Sequence, residues 1–189
     1  MQASRKYFKN AHIQLFTNGL LLLQMDNSFW NACYTNNIAI LATSYRGIQW
    51  DRIESKAAMQ NVLLTYTSTY RDIIYGEKLS WHFPLDLSGR QDARENFLRC
   101  GEANTCIFLR NGRLYTCVAP PNIHHFNKYF NTHLVVSDDD SIDIYKAKDI
   151  REILMFLSKL IPFCRYCRVK DRKFDLPWKK SNKDIHEWI

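Results

Sequence analysis

Five of the six cysteines in this 189-residue chain fall between positions 100 and 167, at Cys100, Cys106, Cys117, Cys164 and Cys167. No other feature limits the possible folds as much. The opening residues, Met-Gln-Ala-Ser-Arg-Lys-Tyr, lack the apolar core and small-residue cleavage site of a signal peptide, so a cytoplasmic protein is expected. In a reducing compartment clustered cysteines indicate metal binding or catalysis in preference to disulfides. The sixth, Cys33, lies in an apolar-periodic segment and reads as a small buried residue. Apolar stretches such as residues 20–23 are far short of a membrane span.

The cysteines form two groups. Cys164-x2-Cys167 puts two thiols on one turn. Residues 106–117 predict a tight β-hairpin, because Asn111-Gly112 is a preferred type I′ pair between apolar runs. A cysteine stands at each end of it. Two such groups facing one another supply four soft ligands, as zinc sites and iron–sulfur clusters require. The residues alone leave open which four of the five would ligate. The spacing Cys100-x5-Cys106-x10-Cys117 is wider than a usual zinc knuckle and favours a cluster. His124 and His125 read as surface or packing residues.

Upstream of about residue 90 the pattern is different. Residues 12–17 alternate as a strand and end in the turn Asn18-Gly19. Apolar residues at helical spacing predict a helix over 22–35. Residues 38–43 form a short apolar run, a buried strand. Asp51 with Glu54 three residues on predicts an N-capped helix to about 60. Residues 61–67 and 79–87 read as further strands. This order predicts βαβ units and a parallel sheet, in which binding residues gather at the C-terminal strand ends. Asn18, Gly19, Ser44 and Tyr45 hold such positions and are candidate cofactor-binding residues. Further on, Pro120-Pro121 is expected to break the chain before a short helix at 122–130. An amphipathic helix is expected over 148–160, with Asp149 and Glu152 in its first turn and Pro162 ending it.

The net charge of +7 is concentrated near the C-terminus, where Arg165, Arg168, Lys170, Arg172, Lys173, Lys179, Lys180 and Lys183 meet only Asp171 and Asp175. Such a stretch suits a solvated surface or an acidic partner. Without a clear basic–aromatic array, nucleic acid is not the expected partner.

In this order the residues resemble the C-terminal two-thirds of a radical S-adenosylmethionine (SAM) enzyme with an auxiliary-cluster domain of the SPASM/Twitch type. The resemblance covers residues 11–189. Ile13-Gln-Leu-Phe-Thr-Asn-Gly19 is similar to the family's third barrel strand, and residues 38–45 to its fourth. Cys100, the Gly112-x4-Cys117 hairpin end and Cys164-x2-Cys167 are similar to a Twitch site, and Pro177-Trp178 with Glu187-Trp188 to the family's ending. The implied fold is α/β: an incomplete (β/α) partial barrel of parallel strands over 1–90, then a small cysteine-rich α+β auxiliary-cluster domain over 91–189. The implied cofactor is an auxiliary 4Fe-4S cluster on Cys100, Cys117, Cys164 and Cys167, with Cys106 the rival ligand.

The family's Cys-x3-Cys-x2-Cys motif and its Gly-Gly-Glu-Pro segment are absent from these residues. The chain therefore looks truncated and not catalytic by itself. SAM would bind only if a separate N-terminal radical SAM fragment supplied the missing part. The intact parent would act on a peptide or carbohydrate. The first remaining strand would then be an exposed edge, open to a partner. Two alternatives stand beside this: a stand-alone iron–sulfur electron-transfer or binding protein, and a zinc-stabilised basic nucleic-acid-binding module.

Overall fold

The alternation over residues 13–66 folds as parallel strands separated by helices. The computed structural model describes residues 1–45, 47–67, 79–103 and 105–189. They group into two compact units, Met1–Ser80 with Asp175–Lys179, and Trp81–Phe174 with Lys180–Ile189. Residues 81–90, grouped by sequence with the first region, belong to the second unit. The fold is mixed α/β with small sheets. No helix among the described residues is long and apolar enough to cross a membrane.

In the first unit a short helix α1 (Gln2–Tyr7) precedes β1 (Ile13–Thr17). Then come α2 (Asn27–Thr35), β2 (Ile38–Ala42), α3 (Trp50–Met59) and β3 (Leu64–Tyr66). The strands are parallel in the order β1-β2-β3, with Ile13 opposite Ile38 and Ile40 opposite Leu64. The central strand is almost wholly buried, whereas β1 alternates and leaves Phe16 exposed. Among the described residues β1 pairs only with β2, so it is an edge. Trp30, Cys33, Ile40, Ile53 and Ala57 form the core between sheet and helices. Cys33 is fully buried, as its setting in the sequence indicates.

The predicted helix over 22–35 is broken at Met25. A single 3-10 turn at Leu22–Gln24 precedes it. The Asp26 carboxylate then caps α2, accepting from the Phe29 N–H at 3.1 Å. Lys56 Nζ donates to the freed carbonyls of Leu23 (3.1 Å) and Met25 (2.7 Å). A second correction concerns α3, which begins at Trp50, so Asp51 lies inside its first turn and does not cap it.

Gly19, two residues past β1, has φ +79 and is buried against Trp50. A Cβ there would run into the Trp50 ring. Gly19→Ala therefore combines left-handed backbone strain with overpacking, and is expected to cost about 2–4 kcal/mol in thermal or urea unfolding. A loss below about 0.5 kcal/mol would contradict this packing, being the size of an ordinary surface change.

The predicted strand over 79–87 is only β4 (Leu79–His82), whose last two residues open the second unit. Beyond it the Asp86 carboxylate gathers a turn, accepting from the Ser88 N–H (2.9 Å), the Arg90 N–H (3.2 Å) and Gln91 Nε2 (3.2 Å). A helix that the hydrophobic pattern did not reveal follows, α4 (Ala93–Arg99), capped by Asp92. The hairpin is β5 (Phe108–Arg110) and β6 (Arg113–Tyr115), antiparallel, with Asn111 and Gly112 both at positive φ as a type I′ turn requires. A short β7 (Ile142–Asp143) extends it.

Pro120 and Pro121 do not break the chain. They lie in the first turn of α5 (Ala119–Phe130), where a missing N–H leaves no helical bond unmade. The helix expected over 148–160 is the shorter α6 (Ile150–Leu157). Asp149 is its cap, not part of its first turn, and the Glu152 carboxylate accepts in return from the Lys148 N–H at 2.7 Å. No α6 side chain is fully buried. Pro162 opens a 3-10 segment, Pro162–Tyr166, that carries Cys164. The core here is Ile123, Leu134, Ile161, Phe163 and Tyr166. The last strand, β8 (Lys173–Pro177), has its first two residues in this unit and the rest in the first.

Candidate metal centre

Each cysteine of the second unit is set by a different local device. Cys100 follows the last residue of α4, its N–H bonded back to the Phe97 carbonyl at 3.2 Å. Cys106 closes a turn through its N–H to the Glu102 carbonyl at 3.1 Å. Cys117 leaves the hairpin just before α5, after the buried Thr116. Cys164 and Cys167 lie on one tight turn, the Cys167 N–H donating to the Cys164 carbonyl at 3.2 Å.

That turn is held from α4. Asn96, buried on this helix, donates through Nδ2 to the carbonyls of Cys164 (3.0 Å) and Cys167 (2.5 Å). Its Oδ1 accepts from the Val169 N–H at 3.3 Å. From the other side the fully buried Asp140 carboxylate accepts from the Phe163 N–H (2.6 Å), and from the Ser137 N–H (2.7 Å) and Oγ (3.0 Å). Backbone and side chain thus fix the cysteine turn before any ligand is considered.

All five cysteines line one cavity of about 390 Å³, along with apolar side chains that include Phe83, Ile161 and Phe163. Its volume exceeds what a single ion needs. Cys106 is exposed, whereas Cys100, Cys117, Cys164 and Cys167 are each partly buried. Burial pushes the Cys117 thiol up to about 12, and the Cys164 and Cys100 sulfurs add to the rise. Cys167 is likewise pushed up to about 12 by burial, then by Cys117 and Cys164. Cys164 is raised by burial first and also feels Cys100. The sulfurs of Cys100, Cys117 and Cys164 thus each raise at least one neighbouring thiol. Holding four thiolates in an apolar cavity demands compensating positive charge. Among the described residues no three His, Cys, Asp or Glu side chains form a group that would hold a single metal ion.

Arg172 supplies one positive charge. Its Nη2 donates to Cys100 Sγ at 3.2 Å, and its guanidinium stacks 4.6 Å from the Phe83 ring centroid. Neither Arg172 nor Asn96 stands out in the sequence, since one belongs to the basic stretch and the other to a helix without a clear apolar period. His124 and His125 are exposed and do not line the cavity.

Asn18, Gly19, Ser44 and Tyr45 lie in the first unit, just beyond the C-terminal ends of β1 and β2. Asn18 Oδ1 accepts from the Leu20 N–H at 3.1 Å, as turn residues do. The Tyr45 carbonyl accepts from Trp50 Nε1 at 3.0 Å, and its ring meets Trp178 edge-on with centroids 5.7 Å apart. Comparison with protein-family models, with curated proteins and with solved structures finds no match to this chain.

Proposed function

We propose that the second unit binds a 4Fe-4S cluster through Cys100, Cys117, Cys164 and Cys167, with Cys106 outside the ligand set. The observation that carries this reading is the convergence of the cysteines on one apolar cavity. The donor set fits the group: four soft sulfurs spread around a cavity suit a cluster body, which distributes its ligands over several irons. The zinc alternative would need four of the same sulfurs to converge on one ion. When bound, such a cluster carries single electrons. The protein's part is to fix the cysteine turn through Asn96 and Asp140, to limit water with apolar walls, and to place Arg172 beside one sulfur.

The same reading takes the chain as the auxiliary-cluster portion of a cytoplasmic radical SAM-type protein. The three-stranded parallel sheet is consistent with a piece of a partial (β/α) barrel. The exposed edge β1, with Phe16 outward, is where a fragment carrying the Cys-x3-Cys-x2-Cys motif would pair. Asn18, Gly19, Ser44 and Tyr45 would then face SAM, and the intact assembly would act on a peptide or carbohydrate. The 189 residues lack that motif, so no SAM cleavage is assigned to them alone. A stand-alone electron-transfer role uses the same cysteines.

Metal and acid-labile sulfide analysis of protein purified without oxygen tests the reading. Brown protein with iron and sulfide in equal amounts is expected. Colourless protein loaded with zinc would overturn it.

A further inference from the structure

We infer that Arg172 is the residue that sets the reduction potential of a cluster held in this cavity, through its fixed charge and its hydrogen bond to the Cys100 sulfur. The inference rests on the cluster reading above. Arg172 is held from two sides, by Cys100 Sγ at 3.2 Å and by the face of Phe83 at 4.6 Å from the ring centroid. A guanidinium has donors only, so it is not a ligand.

The other charges nearby do not duplicate it. Arg168 is bonded to Asp171 at 2.8 Å, and Lys170 pairs with Glu95 at 3.0 Å. Among the described residues that line the cavity, the charged side chains are Arg172 and Glu102. Asp140 also acts on Cys164, with negative sign. Arg172 is therefore the cation that faces the thiol set.

One-electron reduction adds a negative charge to a cluster already surrounded by four thiolates. A cation at hydrogen-bond distance in an apolar setting stabilises the reduced form more than the oxidised one, and a hydrogen bond to a ligand sulfur acts in the same direction. Arginine stays charged at all working pH values, so the effect does not titrate away. Cys100 is thus distinguished from the other three ligands: it alone carries this donor among the described contacts.

The test uses the full chain, reconstituted without oxygen with ferrous iron and sulfide. Arg172→Gln, Arg172→Met and Arg172→Lys are compared with wild type by iron and sulfide content, by far-UV circular dichroism, and by potentiometric titration followed optically. The electrode supplies the electron and the cluster accepts it. In the two neutral variants the ratio of reduced to oxidised cluster at a fixed potential is expected to fall at least tenfold, a shift of about 59 mV to more negative values. Arg172→Lys, which keeps the charge, is expected to recover part of the loss. Neutral variants with normal iron and a ratio within about twofold of wild type would overturn the inference. Should the neutral variants fold but fail to hold iron, retention by Arg172→Lys would support the charge role, and loss in all three would overturn it. Wild-type protein without iron would instead overturn the cluster reading itself.

Discussion

Replacing Cys167 with serine is expected to lower iron incorporation by at least about tenfold, since the loss of a ligand should exceed the 10- to 100-fold cost of disturbing its supports. Cys117→Ser should behave alike. Both sulfurs are partly buried, line the cavity and sense the other thiols. A serine hydroxyl is a hard donor and resists deprotonation, so it does not replace a thiolate on iron. Cys106→Ser supplies the contrast. Cys106 is exposed, and the electrostatic influence on the other cysteines comes from sulfurs other than its own. Its replacement is expected to leave iron and sulfide at the wild-type level. The measurement is colorimetric iron and sulfide per chain on parallel anaerobic preparations. Equal losses in all three variants would remove the distinction between ligand and bystander.

Asn96→Leu should be the most damaging substitution outside the cysteines. The side chain joins α4 to the turn that carries two ligands, and no apolar group can replace its three hydrogen bonds. Leucine leaves the Cys167 carbonyl and the Val169 N–H without their partner, and the Cys164 carbonyl with only the Cys167 N–H. Each unpaired buried group costs about 1–3 kcal/mol, and partial relaxation brings the expected total to about 3–5 kcal/mol in urea unfolding. Iron affinity should fall 10- to 100-fold as well, because the ligands lose their fixed orientation. A variant with wild-type stability and full iron content would contradict the clamp.

The parallel sheet was legible because its signals are local. The run at β2 and the Asn18-Gly19 turn need no distant partner to be read, and the Asn111-Gly112 pair at positive φ selects a two-residue hairpin by itself. Expectation and fold differ where two local rules compete. Proline ends a helix from within but is welcome in its first turn, so Pro120 and Pro121 sit at the start of α5. Asp26 reads as an ordinary polar position within a helical period, yet its carboxylate restarts the helix after Met25. The Asp92-x-x-Glu95 pattern could have revealed α4, though its apolar face is weak.

For the site, the residue types were legible and their supports were not. Cysteine spacing selected the five candidates, but only tertiary structure separates the exposed Cys106 from the rest. Asn96 acts on carbonyls 68 and 71 residues away, and Arg172 meets a sulfur 72 residues away. Nothing in local periodicity reports such contacts. Arg172 in particular looks like one more basic residue of a solvated stretch, while its guanidinium in fact lies between a sulfur and an aromatic face.

Native mass spectrometry of the full chain, purified and sprayed without oxygen, tests the central claim most directly. The account predicts one adduct with the mass of a 4Fe-4S unit, retained in Cys106→Ser and lost in Cys167→Ser. A bare chain under the same conditions, or a single zinc adduct that survives Cys167→Ser, would contradict it.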